Sequence, residues 1–204
     1  FRYLAIWSAK KVNGDPVKLF YALATLTAVC SALLDNVTTV LLTVPVTISI
    51  TRQLEVSAMP YLIAQIIASN IGGTSTLIGD PPNIMIGSAV KELTFMAFVD
   101  NLFLISFFIH FVTIAIMARI YRSKLVTTDE LRAKIALLDE RKQLTNLKLL
   151  KTCLAVLALT IFLFTTHQYF HLESASVALF GASLLLLLTA RQTEHGLEHV
   201  FHKV

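Results

Sequence analysis

Charge is scarce in this sequence, and over long runs positive charge is missing altogether. Only 15% of the 204 residues are Asp, Glu, Lys or Arg, while 55% are hydrophobic and the mean hydropathy is +0.71. A soluble domain carries about a quarter charged residues. No Lys or Arg occurs from Gln53 to Val90, from Glu92 to Ala118 or from Thr152 to Ala190. A bilayer crossing needs about 20 mostly apolar residues, and a soluble core with buried helices this long is disfavoured. Cysteine is also sparse. Cys30 and Cys153 both lie inside apolar blocks, which argues against a disulfide framework and offers no metal spacing. The start lacks the charged region, short apolar run and cleavage site of a signal peptide. It is Phe1 and not Met, so a truncated chain is expected. The net charge of +4 comes from basic residues flanking apolar blocks. They form no stripe interleaved with aromatics, so no nucleic-acid partner is expected. The expected surroundings are a lipid bilayer.

What is present is apolar sequence with punctuation. Residues 1–14 mix Leu4, Ile6 and Trp7 with Arg2, Lys10 and Lys11, and Asn13-Gly14-Asp15-Pro16 follows. That pattern predicts an interfacial amphipathic helix. Leu19–Ile50 is apolar but interrupted by Asp35-Asn36. Residues 57–90 are apolar but interrupted by Ile71-Gly72-Gly73 and by Asp80-Pro81-Pro82-Asn83. A plain helix is expected at 97–118. Residues 119–151 read as a loop in which Leu131, Ile135 and Leu138 recur at helical spacing, predicting a short helix. Helices at 152–166 and 174–190 and a tail complete the chain.

As one straight helix, Leu19–Ile50 would be roughly 48 Å long against a hydrocarbon core of about 30 Å. Two full crossings would need about 40 residues and a turn. Two half-length helices forming a re-entrant hairpin fit, with Asp35-Asn36 near the tip. Charge supports this independently. If 19–50 returns to its starting side and 57–90 crosses once, all but one of the 17 basic residues fall on one side, Lys91 being the exception. By the positive-inside rule that side is the cytoplasm, so loop 119–151 and the tail are expected there.

Non-helical backbone survives at membrane depth only when buried in protein or lining a wet cavity, and transporters use such breaks as ion and substrate sites. Helix ends offer carbonyl oxygens to cations, and helix starts offer N–H groups to anions. At the tip, Asp35 is the lone acid of its stretch. An intramembrane carboxylate points to function; it also suits an N-cap, and the two roles are compatible. Asn36 can donate and accept, and Thr38 and Thr39 place hydroxyls on the returning arm. In the second break Asn70, Gly72, Gly73, Thr74, Ser75, Thr76, Asp80 and Asn83 are the candidate ion- or substrate-binding residues. The glycines permit close approach. Asp80-Pro81 also reads as a helix restart. The Gly-rich run lacks a P-loop Lys. His110 lies mid-span, as a packed neutral residue or a proton relay. His167 with His171, and His195 with His199 and His202, have spacings that can bind metal but no third ligand fixed in place, so no metal site is expected.

Ser31-Ala32-Leu33-Leu34-Asp35-Asn36-Val37-Thr38-Thr39, with Pro45 beyond, resembles the hairpin motif of the arsenite-efflux and sodium/proton-antiporter family. That family belongs to the ion-transporter superfamily, with a citrate-transporter-like domain. Ser69-Asn70-Ile71-Gly72-Gly73-Thr74 through Gly79-Asp80-Pro81-Pro82-Asn83 is similar to its unwound helix. The likeness is nearest to the branch of the P protein (P permease). It runs through nearly the whole chain, including Glu198-His199-Val200-Phe201-His202-Lys203-Val204. The resemblance implies an all-α integral membrane fold of two inverted repeats, each with a re-entrant hairpin and a discontinuous helix. Residues 15–118 would end the first repeat and 152–204 begin the second. It also implies a homodimer in the plasma membrane, working by an elevator-like motion, and a chain that holds half a site. Dicarboxylate carriers of the superfamily have Ser-Asn-Thr at the tip, where this chain has Asp35-Asn36-Val37-Thr38. A fixed carboxylate repels citrate-like substrates unless protonated or paired with a cation.

The expected function is ion-coupled secondary transport of a small inorganic ion or anion, of the arsenite-efflux type, with sodium/proton antiport as the rival. A passive channel is the alternative from another class. No activated nucleophile points to an enzyme. No cofactor is expected apart from a coupling sodium ion or proton.

Overall fold

The computed structural model describes residues 2–90, 92–136, 147–166 and 174–190. Among these, the regular structure is entirely helical. The clusters His167 with His171 and His195 with His199 and His202, Lys91, Leu138 and the tail lie outside the described residues. The chain divides into two compact units.

In the first unit, α1 spans Arg2–Lys11. The helix predicted at the interface does form, but one face of it is packed: Ala5, Ser8 and Ala9 are buried while Trp7 stays exposed. Asn13 and Gly14 then take positive φ and turn the chain. Helix α2 (Pro16–Leu33) starts with Pro16 in its first turn and with the Asp15 side chain accepting from Val17 N and Lys18 N. Helix α3 covers Asn36–Gln53 and runs through Pro45.

The arms of this hairpin are longer than the half-length helices expected from 19–50. Each has 18 residues, or about 27 Å, close to the core thickness of about 30 Å. The Asp15–Pro16 cap starts α2 before the apolar run begins, and Thr51-Arg52-Gln53 carries α3 past its end. Among the described residues, Pro16–Leu33 is one of three helices long and apolar enough to cross a membrane; the others are Phe95–Ile120 and Leu147–Thr166.

Helix α4 (Met59–Thr74) lies parallel to α2. The Tyr61 hydroxyl donates to the Pro16 carbonyl at 2.8 Å, and at the other end the Ser31 hydroxyl donates to the Ser69 carbonyl at 2.7 Å. Small residues bring the two backbones together, as helix pairs in membranes favour. A Cβ on Gly72 would come within 2.7 Å of the Ala28 Cα. Helix α5 (Pro81–Ala89) resumes after the break, and α6 (Phe95–Ile120) packs on α2 and α4. The second break therefore separates 59–74 from 81–89, inside the predicted limits.

The loop assigned to 119–151 is shorter and more ordered than its charge suggests. Helix α6 runs into it as far as Ile120, followed by a 3-10 turn at Arg122–Lys124 and by α7 (Asp129–Ala136). This segment is docked at the base of the hairpin. Leu125 and Ile135 belong to the core formed with Ile50 and Leu54. The Thr127 hydroxyl donates to the Leu54 carbonyl at 2.6 Å, and Arg132 pairs with Asp15 at 3.7 Å.

The second unit holds α8 (Leu147–Thr166) and α9 (Ser174–Ala190), which pack together, Gly181 lying against Thr160. Helix α8 begins before residue 152 because Leu147, Leu149 and Leu150 extend its apolar face.

Gly72→Ala is expected to destabilise the first unit by about 1–3 kcal/mol, because its new methyl meets backbone, which cannot step aside. Gly181→Ala should cost less, since it meets the movable Thr160 side chain. Thermal unfolding of the purified variants measures the difference. Ile135→Ala should cost about 2–4 kcal/mol, as for a core residue; an unchanged melting temperature would show that α7 is undocked.

Candidate functional site

The two breaks predicted to face each other do meet. Leu34 leaves α2 with an extended backbone, and Asp35 is the N-cap of α3. The Asp35 carboxylate accepts from Val37 N (3.2 Å), from Thr38 N (2.8 Å) and from the Thr38 hydroxyl. These bonds orient its oxygens toward its own helix. The neighbouring Asn36 side chain is what reaches the second break. Its Nδ2 donates to Asn70 Oδ1 at 3.0 Å and lies 3.5 Å from Asp80 Oδ1. One amide thus links α3, the last turn of α4 and the residue before α5.

Other polar groups hold this junction in shape. The Thr76 hydroxyl donates to the Ala32 carbonyl, at the end of α2, and accepts from Gly79 N at 3.1 Å. Asn83 Nδ2 donates to the carbonyls of Thr76 (3.0 Å) and Gly73 (3.4 Å). The backbones of Gly73 and Gly79 pass so closely that a Cβ on Gly73 would lie 2.7 Å from the Gly79 carbonyl oxygen. Ser75 donates to Gly72 O at 2.6 Å, and Thr74 to Asn70 O at 2.8 Å. The Asp80 carbonyl receives Asn83 N at 3.0 Å as α5 begins.

The predicted residues therefore fall into groups. Asn36, Asn70 and Asp80 come together as a partly exposed polar cluster. Gly73, Thr76 and Asn83 brace it, and Gly72 packs against α2. Ser75 and Thr76 are buried, and their hydroxyls are engaged with backbone. Asp35 and Thr38 form a self-contained cap beside the cluster. Thr39 turns inward and is fully buried. Ser31 and Ser69 were not among the predicted residues, although Ser31 bridges the breaks; their signal was a hydroxyl beside each interruption in an otherwise apolar run.

His110 of α6 is buried, and its Nε2 is 3.1 Å from the Thr25 hydroxyl. It borders a cavity of about 160 Å³ shared with Ala28, Gly72, Phe103 and Phe107. That cavity is walled almost wholly by carbon and lies between α2, the end of α4 and α6. Both cysteines are free thiols.

The cluster suits ions better than covalent chemistry. Carboxylate and amide oxygens can hold a hard cation. The first-turn N–H groups of α3 are already taken by the Asp35 carboxylate, so the N-terminal turn of α5 is the one that favours an added anion.

Comparison with known proteins agrees with a transporter. An uncharacterized transporter of Mycobacterium bovis is 40% identical over 189 residues, which is 93% of this chain and 44% of that protein. The 46 kDa membrane protein of Mycobacterium leprae is 39% identical over 189 residues, with the same two shares. The P protein of Mus musculus is 35% identical over 134 residues, 64% of this chain and 16% of its own length. The chain spans less than half the length of these mycobacterial relatives. No solved structure matches it. Matched from residue 1 to residue 204, the chain belongs to the citrate transporter family of membrane transporters.

Proposed function

We propose that this chain supplies half of the transport site of an ion-coupled secondary transporter whose cargo is a small inorganic ion or anion, of the arsenite-efflux type. The observation that carries the proposal is the Asn36 amide, hydrogen-bonded to Asn70 and within reach of Asp80, so that hairpin and broken helix present one polar surface. Asp35 and Asp80 place two carboxylates at or beside this surface. They disfavour a di- or tricarboxylate that arrives without a compensating proton or cation. A neutral hydroxide such as arsenite needs no such compensation. The same oxygens suit a coupling sodium ion or an exchanged proton.

Sodium/proton antiport is the second reading, favoured by the same carboxylates. In either case the 19–50 hairpin is re-entrant, its 18-residue arms tilted so that the tip stops short of the far face, residues 15–118 close a first inverted repeat and 152–204 open a second, and the working unit is a homodimer in the plasma membrane. Loop 119–151 then faces the cytoplasm, with the basic residues that flank the spans.

The test is flux by the full-length protein in liposomes under imposed sodium and proton gradients, with arsenite and other small anions as cargo. Saturable flux that follows an ion gradient supports the proposal; unsaturable flux indifferent to the gradients would show a channel. Asn36→Ala and Asp80→Asn should each lower coupled flux by about tenfold, with membrane insertion unchanged, since the first removes the amide that joins the two breaks and the second the carboxylate charge beside it. Asp35→Asn keeps an acceptor for the α3 cap, so it should insert normally while coupled flux falls; full flux would leave Asp35 as a cap alone.

A further inference from the structure

Below the junction, the interior between α2, α3 and α4 is polar where a membrane bundle is expected to be dry. Thr27, Thr39 and Gln65 come from the three different helices, and each has at most 1% of its surface exposed. Gln65 Nε2 donates to the Thr27 hydroxyl at 3.1 Å, and that hydroxyl donates in turn to the Leu23 carbonyl at 2.8 Å. Of these three residues, two have a sealed atom without a partner, Gln65 Oε1 and Thr39 Oγ1; Thr47 Oγ1, two turns further along α3, is also unpartnered but lies at another level. An unsatisfied buried polar atom is destabilising, and in hydrocarbon there is no water to relieve it.

These groups share a depth. Helix α3 runs antiparallel to α4, since Asn36 meets Asn70 at one end while Ile50 and Leu54 share the core with Tyr61 near the other. Thr39 lies three residues from Asn36, and Gln65 lies five residues from Asn70. At 1.5 Å per residue their levels differ by only about 3 Å. The Thr27 bond sets α2 at the same level as Gln65.

We propose that Thr27, Thr39 and Gln65 form a buried site for one dehydrated monovalent cation, a turn beneath the junction and separate from it. The groups left over are oxygens, the ligands that hard cations take. The helical spans of α2, α3 and α4 contain no acidic residue. Divalent ions are held in proteins with the help of carboxylates, which these spans lack, whereas rings of uncharged oxygens do replace the hydration shell of a monovalent ion. An anion would face amide and hydroxyl lone pairs. The site rests on these three side chains alone and does not depend on the identity of the cargo.

The experiment is thermal unfolding of the purified full-length transporter against sodium, with choline holding ionic strength constant, repeated with lithium and potassium. A saturable rise in melting temperature is expected with at least one of the three ions. Thr39→Val and Gln65→Leu should each raise the half-saturating concentration about tenfold or more. Thr39→Ser, which restores the oxygen, should return it close to the wild-type value. Asn36→Ala, which opens the junction and not this site, should leave the saturable rise in place. If Thr39→Val does not fold, Gln65→Leu and Thr39→Ser give the same contrast. The proposal is overturned by the absence of a saturable rise with all three ions, or by an unchanged midpoint in Thr39→Val or Gln65→Leu. It is also overturned if Asn36→Ala alone abolishes the rise, since the ion would then sit at the junction. That last result would leave the transport reading intact, while a wild-type protein that shows ion-dependent stability but no coupled flux would overturn the transport reading and leave this site in place.

Discussion

Main-chain groups freed where a helix stops must find partners within the protein when no water reaches them, and in this chain hydroxyls at each interruption reach carbonyls of the helix beside the other. The Ala32 carbonyl, near the end of α2, is taken by the Thr76 hydroxyl, and the Ser69 carbonyl of α4 by the Ser31 hydroxyl. Within the second interruption, Asn83 takes the carbonyls of Gly73 and Thr76. Hairpin and broken helix are therefore a single construction. The parallel contact of α2 with α4, with Gly72 against Ala28, follows from it, because the hydroxyls reach only if the backbones touch. The contact also explains the composition, since bulky residues at Ala28, Gly72, Gly73 or Gly79 would hold the polar groups apart.

The far end of the hairpin is secured by different means. There the Tyr61 hydroxyl on the Pro16 carbonyl, the aromatic pair Phe20–Tyr61 and the docked segment through Ile135 fix the arms to one another and to the exit of α6. Apolar burial dominates at the base and hydrogen bonding at the tip. The tip is thereby left partly open, with Asn36 and Asp80 accessible, while the base is closed.

Much of this architecture was legible in the sequence, because bilayers impose severe rules. Lone polar residues in apolar runs marked both interruptions, and the excess length of 19–50 over a single crossing required a reversal. Three features were harder to read. The arms are longer than expected because Asp15–Pro16, which looks like a turn, is also a helix cap. The docking of α7 was hidden by its charge, since Leu131 and Ile135 at helical spacing fit a solvated linker helix as well as a packed one. The exchange of roles between Asp35 and Asn36 depends on which way a side chain leaves the first turn, and that angle is set by the register of α3 against α4.

The parallel course of α2 and α4 has an electrostatic consequence. Both bring their carboxyl-terminal ends to the tip, while α3 and α5 begin there. Two negative and two positive macrodipole poles therefore converge on one small volume and largely cancel at a distance. Such a quadrupolar arrangement favours two opposite charges held side by side over either one alone.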